Sequence, residues 1–310
     1  MSSGKLAVLL MAYGSPNSLD EVGEYLTQIR GGREPTAAEI ERLKERYRQV
    51  GGKTPLLEIT RGQSRALENN LRSKGLDIPV YVGMKHWHPF VEDVVPQIVR
   101  DGATSIIGIA LAPHYSRLSI NGYEDAARKG LGGSTIQFTM VKSWHKEKGL
   151  VSAISTHLLK TMTKMPDPSK TVVLFTAHSL PKKMVTHDDP YEKQLLETSK
   201  LVAETARVKS WDFAYQSAGE PKEDWLGPLI KEQLDKLDRE GFRDVLAYPV
   251  GFVSDHLEIL YDLDIEARNY ASSLGIGFER ASSLNDDPEF IDALASLVAS
   301  AIQKEVLSII

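Results

Sequence analysis

Two stretches decide the reading of this chain: LAVLLMAYGSP at 6–16 and TVVLFTAHSLP at 171–181. Each carries an apolar run, LAVLLM in the first and VVLF in the second, and reaches an alanine. A polar ring residue follows, Tyr13 in one and His178 in the other, and a proline closes the segment a few residues on. A strand covered on one face alternates apolar and polar residues. An unbroken apolar run marks a strand buried on both faces, as in parallel sheets flanked by helices.

Working outward, apolar β-branched runs alternate with segments of helical period. After the first strand the pattern predicts a helix at 18–30. A helix at 37–50 follows, opened by a Thr36–Glu39 capping box and closed by Gly51-Gly52. Then come a helix at 58–74, a strand at 78–83, a helix at 89–101 and a strand at 104–112. The second half predicts a strand at 171–177, a helix at 189–206, a strand at 211–216 and a helix at 226–240. A strand at 244–250, an acidic helix at 254–270 and a last helix at about 287–306 complete it. IALAPHYS (109–116) also loosely parallels AYPVGFVSDH (247–256). The expectation is α/β: two similar Rossmann-like, doubly wound domains with parallel sheets, 1–150 and 151–310. The last helix is expected to pack back on the first domain.

Composition narrows the chemistry. The chain has 310 residues and no cysteine, so disulfides and thiolate-held iron–sulfur clusters are excluded. Any metal must meet His, carboxylate, Tyr or backbone oxygen. A net charge of −5 disfavours a nucleic-acid partner. The N-terminus lacks a signal-peptide layout and no apolar run approaches bilayer-spanning length, so a cytoplasmic location is expected.

In open α/β sheets ligands bind at the carboxyl ends of strands. Five of the eight histidines fall there: His86, His88, His114, His178 and His256. Tyr13, Lys85, Tyr115, Ser116 and Asp255 share such positions. Glu258, Asp262 and Glu266 follow His256 at i, i+4, i+8. On an α-helix each step drifts about 40°, so the three acids form a line. A line of hard oxygen ligands leading from a histidine suits a divalent cation or a proton path, with solvated surface charge as the plainer reading. Arg30, Arg33 and Arg46 flank two glycine turns. They suit carboxylate or phosphate capture, or ordinary helix-surface charge. P-loop, G-x-G-x-x-G, H-E-x-x-H and G-x-S-x-G motifs are absent.

VVLFTAHSLP (172–181), DDPY (188–191) and YPVGFVSDHLEILYD (248–262) resemble the strongest motifs of the ferrochelatases. MAYGSP (11–16), Lys85-His86, LAPHYS (111–116), Gln216-Ser217 and WLGP (225–228) extend the resemblance along the whole chain in order. Asp188 stands where the family usually has Gly, and Ala218-Gly219 replaces an expected acidic residue. The resemblance implies two Rossmann-like domains with a porphyrin cleft between them, Fe²⁺ as substrate and no resident cluster. It implies His178 and Glu258 as catalytic and metal-facing residues, with Asp262 and Glu266 continuing the acidic line and giving a possible second divalent-cation site. Tyr13 is implied on the opposite porphyrin face, axial to the metal in a product complex. Arg30, Arg46, Thr54, Lys85, His86, Ser119 and Tyr123 are implied in porphyrin binding. The chain resembles soluble, monomeric bacterial enzymes that use coproporphyrin III. Protoporphyrin IX, cobalt or nickel insertion into a reduced tetrapyrrole, and non-catalytic haem carriage stay open. Histidine suits the proton step because its ordinary pKa lies near neutrality.

Overall fold

The structure, a computed structural model, describes residues 5–185, 187–219 and 223–307. Strand β1 (Leu6–Ala12) is buried along almost its whole length, as its unbroken apolar run requires. Helices α1 (Val22–Ile29), α2 (Ala37–Gln49) and α3 (Leu56–Ser73) follow. Then come β2 (Val80–Met84), α4 (Val91–Arg100), β3 (Ser105–Ala110), α5 (Arg117–Leu131) and β4 (Gln137–Val141). The strands pair in parallel in the order β2-β1-β3-β4.

The second half repeats the plan. It runs α6 (Lys148–Met162), β5 (Val172–His178), α7 (Tyr191–Thr205), β6 (Trp211–Gln216), α8 (Ile230–Arg239) and β7 (Asp244–Tyr248). A helical stretch follows: α9 (Leu257–Leu260), a π-turn (Asp262–Ala267) and α10 (Arg268–Ser273). Strand β8 (Gly277–Arg280) and helix α11 (Pro288–Leu307) end the described chain. Its sheet is again parallel, ordered β6-β5-β7-β8. In each sheet the first strand lies inside, with the second strand to one side and the third to the other. The chain therefore reverses its winding direction there, and the switch point opens a crevice at the carboxyl end of that strand. Tyr13 follows β1 and His178 ends β5, so both stand at switch points.

Contacts divide the chain into two units. One holds residues up to Pro113, Arg117–Trp144 and the segment from Asn285; the other holds His114–Ser116 and His145–Leu284. Helix α11 packs on α3 in the first unit, where Asp292 Oδ1 accepts from Asn70 Nδ2 and Lys74 Nζ, each at 2.9 Å.

The Thr36 capping box forms as expected: Thr36 Oγ1 accepts from Glu39 N at 3.3 Å and Glu39 Oε2 from Thr36 N at 2.7 Å. Four elements carried too weak a signal for prediction: α5, β4, α6 and β8. Strand β4 is only partly covered and β8 exposes alternate residues, so neither shows an unbroken apolar run. The acidic helix starts at Leu257, not 254, because His256 caps it. Ile259, Leu263 and Ala267 on that helix join the core of the second sheet with Val245, Ala247 and Phe278. Burying side chains of the Ile and Leu size contributes about 1.5–3 kcal/mol each, which seats the helix against the strands. Among the described residues no helix is long and apolar enough to cross a membrane.

Candidate functional site

In the second unit His178 lies beside Gln216 across the β5–β6 register. Glu258 sits in the first turn of α9. The ring of His256 caps that turn, its Nδ1 accepting from Glu258 N at 3.1 Å. This places Glu258 Oε1 3.4 Å from His178 Nε2. The other ring nitrogen of His178 meets the carbonyl of Ser179. Both nitrogens therefore face groups that only accept, and both contacts are satisfied together only when both carry protons. Burial opposes that charge. The charge of Glu258, its hydrogen bond, the Ser179 carbonyl and Asp262 outweigh burial and push the His178 pKa up to about 9. His178 therefore holds its proton more firmly than an ordinary imidazole does.

The acids beyond it do not continue as a regular α-helical line. Glu266 N donates to Tyr261 O at 2.9 Å, an i→i−5 bond, so the helix widens between Asp262 and Ala267. Each acid meets its own partner. Asp262 is buried and accepts from Ser217 Oγ; Glu266 is exposed and pairs with Lys231 Nζ at 2.8 Å. Asp255 and Asp264 are tied to Arg280, whose Nε lies 2.6 Å from Asp264 Oδ1 and whose Nη1 lies 3.2 Å from Asp255 Oδ1. Among the described residues no three His, Asp or Glu side chains gather as a metal-holding group.

In the first unit Gly14 turns the chain after β1 at φ +101°, and a Cβ there would stand 2.9 Å from Trp87 N. That close turn presents Tyr13, 43% exposed, with its ring centroid 4.5 Å from that of His86. Burial and the adjacent Lys85 charge push His86 down to about 4. Lys85 Nζ reaches the Ser119 carbonyl at 3.5 Å and lies 5.3 Å from the Tyr123 ring centroid. Burial lowers the Lys85 pKa, with Asp125 opposing, and burial with Tyr13 nearby raises that of Tyr123. Tyr13, Lys85, His86, Ser119 and Tyr123 thus form one group.

The basic loops behave differently. Arg30 is engaged by Glu39 as a fork, at 2.6 and 3.0 Å, so its guanidinium braces the start of α2. Arg46 is half-buried in the last turn of α2. Thr54 Oγ1 donates to Ser15 Oγ at 2.7 Å, and Ser15 Oγ lies 3.1 Å from Tyr47 OH.

A family model described as Ferrochelatase matches residues 5–302. The chain belongs to the ferrochelatase family. A ferrochelatase of Herpetosiphon aurantiacus is 45% identical over 302 residues, covering 96% of this chain and 99% of its own length. A coproporphyrin III ferrochelatase of Geobacillus sp. is 40% identical over 311 residues, covering 98% and 100%. The fold matches SirB of Bacillus subtilis with Fe³⁺ at a TM-score of 0.59, 15% identity and coverage of 96% and 95%.

His86 and His88 lie in the first unit, and His114, His178 and His256 in the second. His114 is buried against Thr198 Oγ1 at 2.9 Å, and burial together with His145 holds its pKa down near 3. His145 also follows a strand, the unpredicted β4, and meets Glu197 at 2.9 Å. Sequence reasoning gave no role to Ser15, Tyr47 or the His256 cap. Ser15 lay within the quoted turn; Tyr47 had no distinguishing signal.

Proposed function

We propose that this chain inserts Fe²⁺ into coproporphyrin III to give coprohaem in haem synthesis. The observation that carries the reading is the His178–Glu258 pair, 3.4 Å apart at a switch point. Insertion exchanges two pyrrole N–H protons for one dication, so two protons must leave in each turnover. An imidazolium cannot accept one until it has released its own. An approaching dication disfavours that proton electrostatically, and Glu258 stands ready as its acceptor. His178 then takes the two pyrrole protons in turn, passing each on to Glu258, or briefly ligates the iron. Asp262 and Glu266 relay protons toward the exposed end of the row.

Lys85, His86, Ser119 and Tyr123 would seat the macrocycle, Arg46 and Thr54 would handle its carboxylates, and Tyr13 would touch the metal in the product. Arg30 would act by holding the loop before α2. A second divalent cation on the acidic row would be held by one or two carboxylates plus water, the usual arrangement for Mg²⁺. The reading includes a cytoplasmic monomer, which sedimentation at micromolar concentration tests for assembly.

Relatives named for coproporphyrin III support the substrate, while relatives at 45% and 40% identity carry the name ferrochelatase alone. Anaerobic metallation of coproporphyrin III and protoporphyrin IX, followed by absorbance, separates the two. Faster turnover of coproporphyrin is expected. Preference for protoporphyrin overturns the substrate but keeps the class. Binding of both without turnover favours a reduced-tetrapyrrole chelatase or a carrier.

A further inference from the structure

Gln216 ends β6 directly beside His178 and is only 1% exposed. Its backbone carbonyl accepts from Ser179 N at 2.8 Å, fixing the chain where it leaves His178. Its side-chain Nε2 donates to the backbone carbonyl of Glu258 at 2.7 Å. Its Oε1 accepts from Thr176 Oγ1 at 2.7 Å, and Thr176 is fully buried. The amide orientation follows from chemistry: the Glu258 carbonyl can only accept, so the NH₂ end must face it, and the Thr176 hydroxyl then has the oxygen to donate to.

We propose that Gln216 is a positioning residue that sets the gap between His178 and Glu258. One residue holds the backbone on both sides of the pair. The need for such a hold has a local cause. A widened i→i−5 turn interrupts the regular α-helical hydrogen-bond ladder next to Glu258, and a side-chain donor reaching a carbonyl there anchors the helix start. The neighbouring Ser217 stands at φ +60°, a left-handed conformation a non-glycine residue rarely adopts, and its hydroxyl reaches Asp262. The Gln216–Ser217 turn therefore addresses the first two acids of the row in succession. Filling buried space alone would need no amide, since an apolar residue of the same length fills it without the cost of burying polar atoms.

This inference rests on the proposed role of the pair. The test uses Gln216→Met, which keeps length and removes the donor, and Thr176→Val, which keeps the amide but releases its oxygen. Steady-state metallation of coproporphyrin should show kcat lowered by about tenfold or more in Gln216→Met, the order usual for groups that orient reacting residues. KM for the porphyrin should stay unchanged. Thr176→Val should show a smaller loss of the same kind. In a Glu258→Asp background, where the gap is already altered, Gln216→Met should cost nothing further, a coupling that general destabilisation does not produce. Normal kcat in folded Gln216→Met, or full additivity with Glu258→Asp, overturns the proposal. Where Gln216→Met does not fold, Thr176→Val decides alone: unchanged kcat overturns it, lowered kcat at constant KM supports it. Normal metallation by His178→Ala would instead remove the reading of the pair on which the proposal stands.

Discussion

Tyr13 and His178 occupy matching places in two sheets of the same strand order, yet they sit among opposite charges. Tyr13 faces His86, which burial and Lys85 hold neutral at about 4, and a Tyr123 whose phenol resists ionisation. Lys85 is the cation of that group, in contact with the Tyr123 ring. His178 faces Glu258 with Asp262 behind it and is pushed up to about 9. The repeated backbone brings a ring to each switch point; the turn that follows a neighbouring strand supplies the groups it faces. An aromatic, weakly charged surface suits holding a flat macrocycle. A charged pair with an acidic row suits moving protons.

His178→Ala should break this contrast most severely. Its loss should lower kcat by roughly 10²–10⁴-fold, the span usual for a positioned acid–base group. Porphyrin binding, read by fluorescence, should persist, and a change in binding with kcat intact would reverse the assignment of the two regions. The second effect is in pH. Nuclear magnetic resonance of the His178 ring should give a titration midpoint of about 9, falling when Glu258→Gln removes the charge. The sign follows from the raised value. The pair favours the folded chain fully below the ordinary 6.5, and that contribution fades as pH rises through about 9. A midpoint near 6.5 in the unaltered protein would contradict it. The smallest effect belongs to the first unit. Lys85→Met removes a cation over Tyr123 and a charge beside His86. It should weaken porphyrin binding by roughly fivefold, about 1 kcal/mol, and let the His86 midpoint rise above 4, with kcat unchanged.

The alternation of buried runs and helical segments was enough to read two doubly wound sheets, because parallel strands covered on both faces leave a strong apolar signature. Strands β4 and β8 left none, being partly exposed at the sheet edges. His178 was legible from its place at a strand end, whereas its pairing with Glu258 came only as an implication of the family resemblance. Its charge state was not legible, because that depends on two acceptors meeting one ring in space. The i, i+4, i+8 spacing suggested a straight line of acids, but spacing cannot register a π-turn formed by backbone bonding. Asp255 and Asp264 read as added acidity because Arg280, which binds both, is distant in sequence. Arg30 read as a ligand group or as ordinary helix-surface charge; its ion pair with Glu39, whose capping role was legible, was not visible in its spacing.

The most direct test is Glu258→Gln in anaerobic Fe²⁺ insertion into coproporphyrin III, with porphyrin binding measured on the same protein. The neutral amide keeps shape and removes the charge that holds the His178 proton. Insertion should be abolished while binding is retained; near-normal turnover would contradict the role given to Glu258.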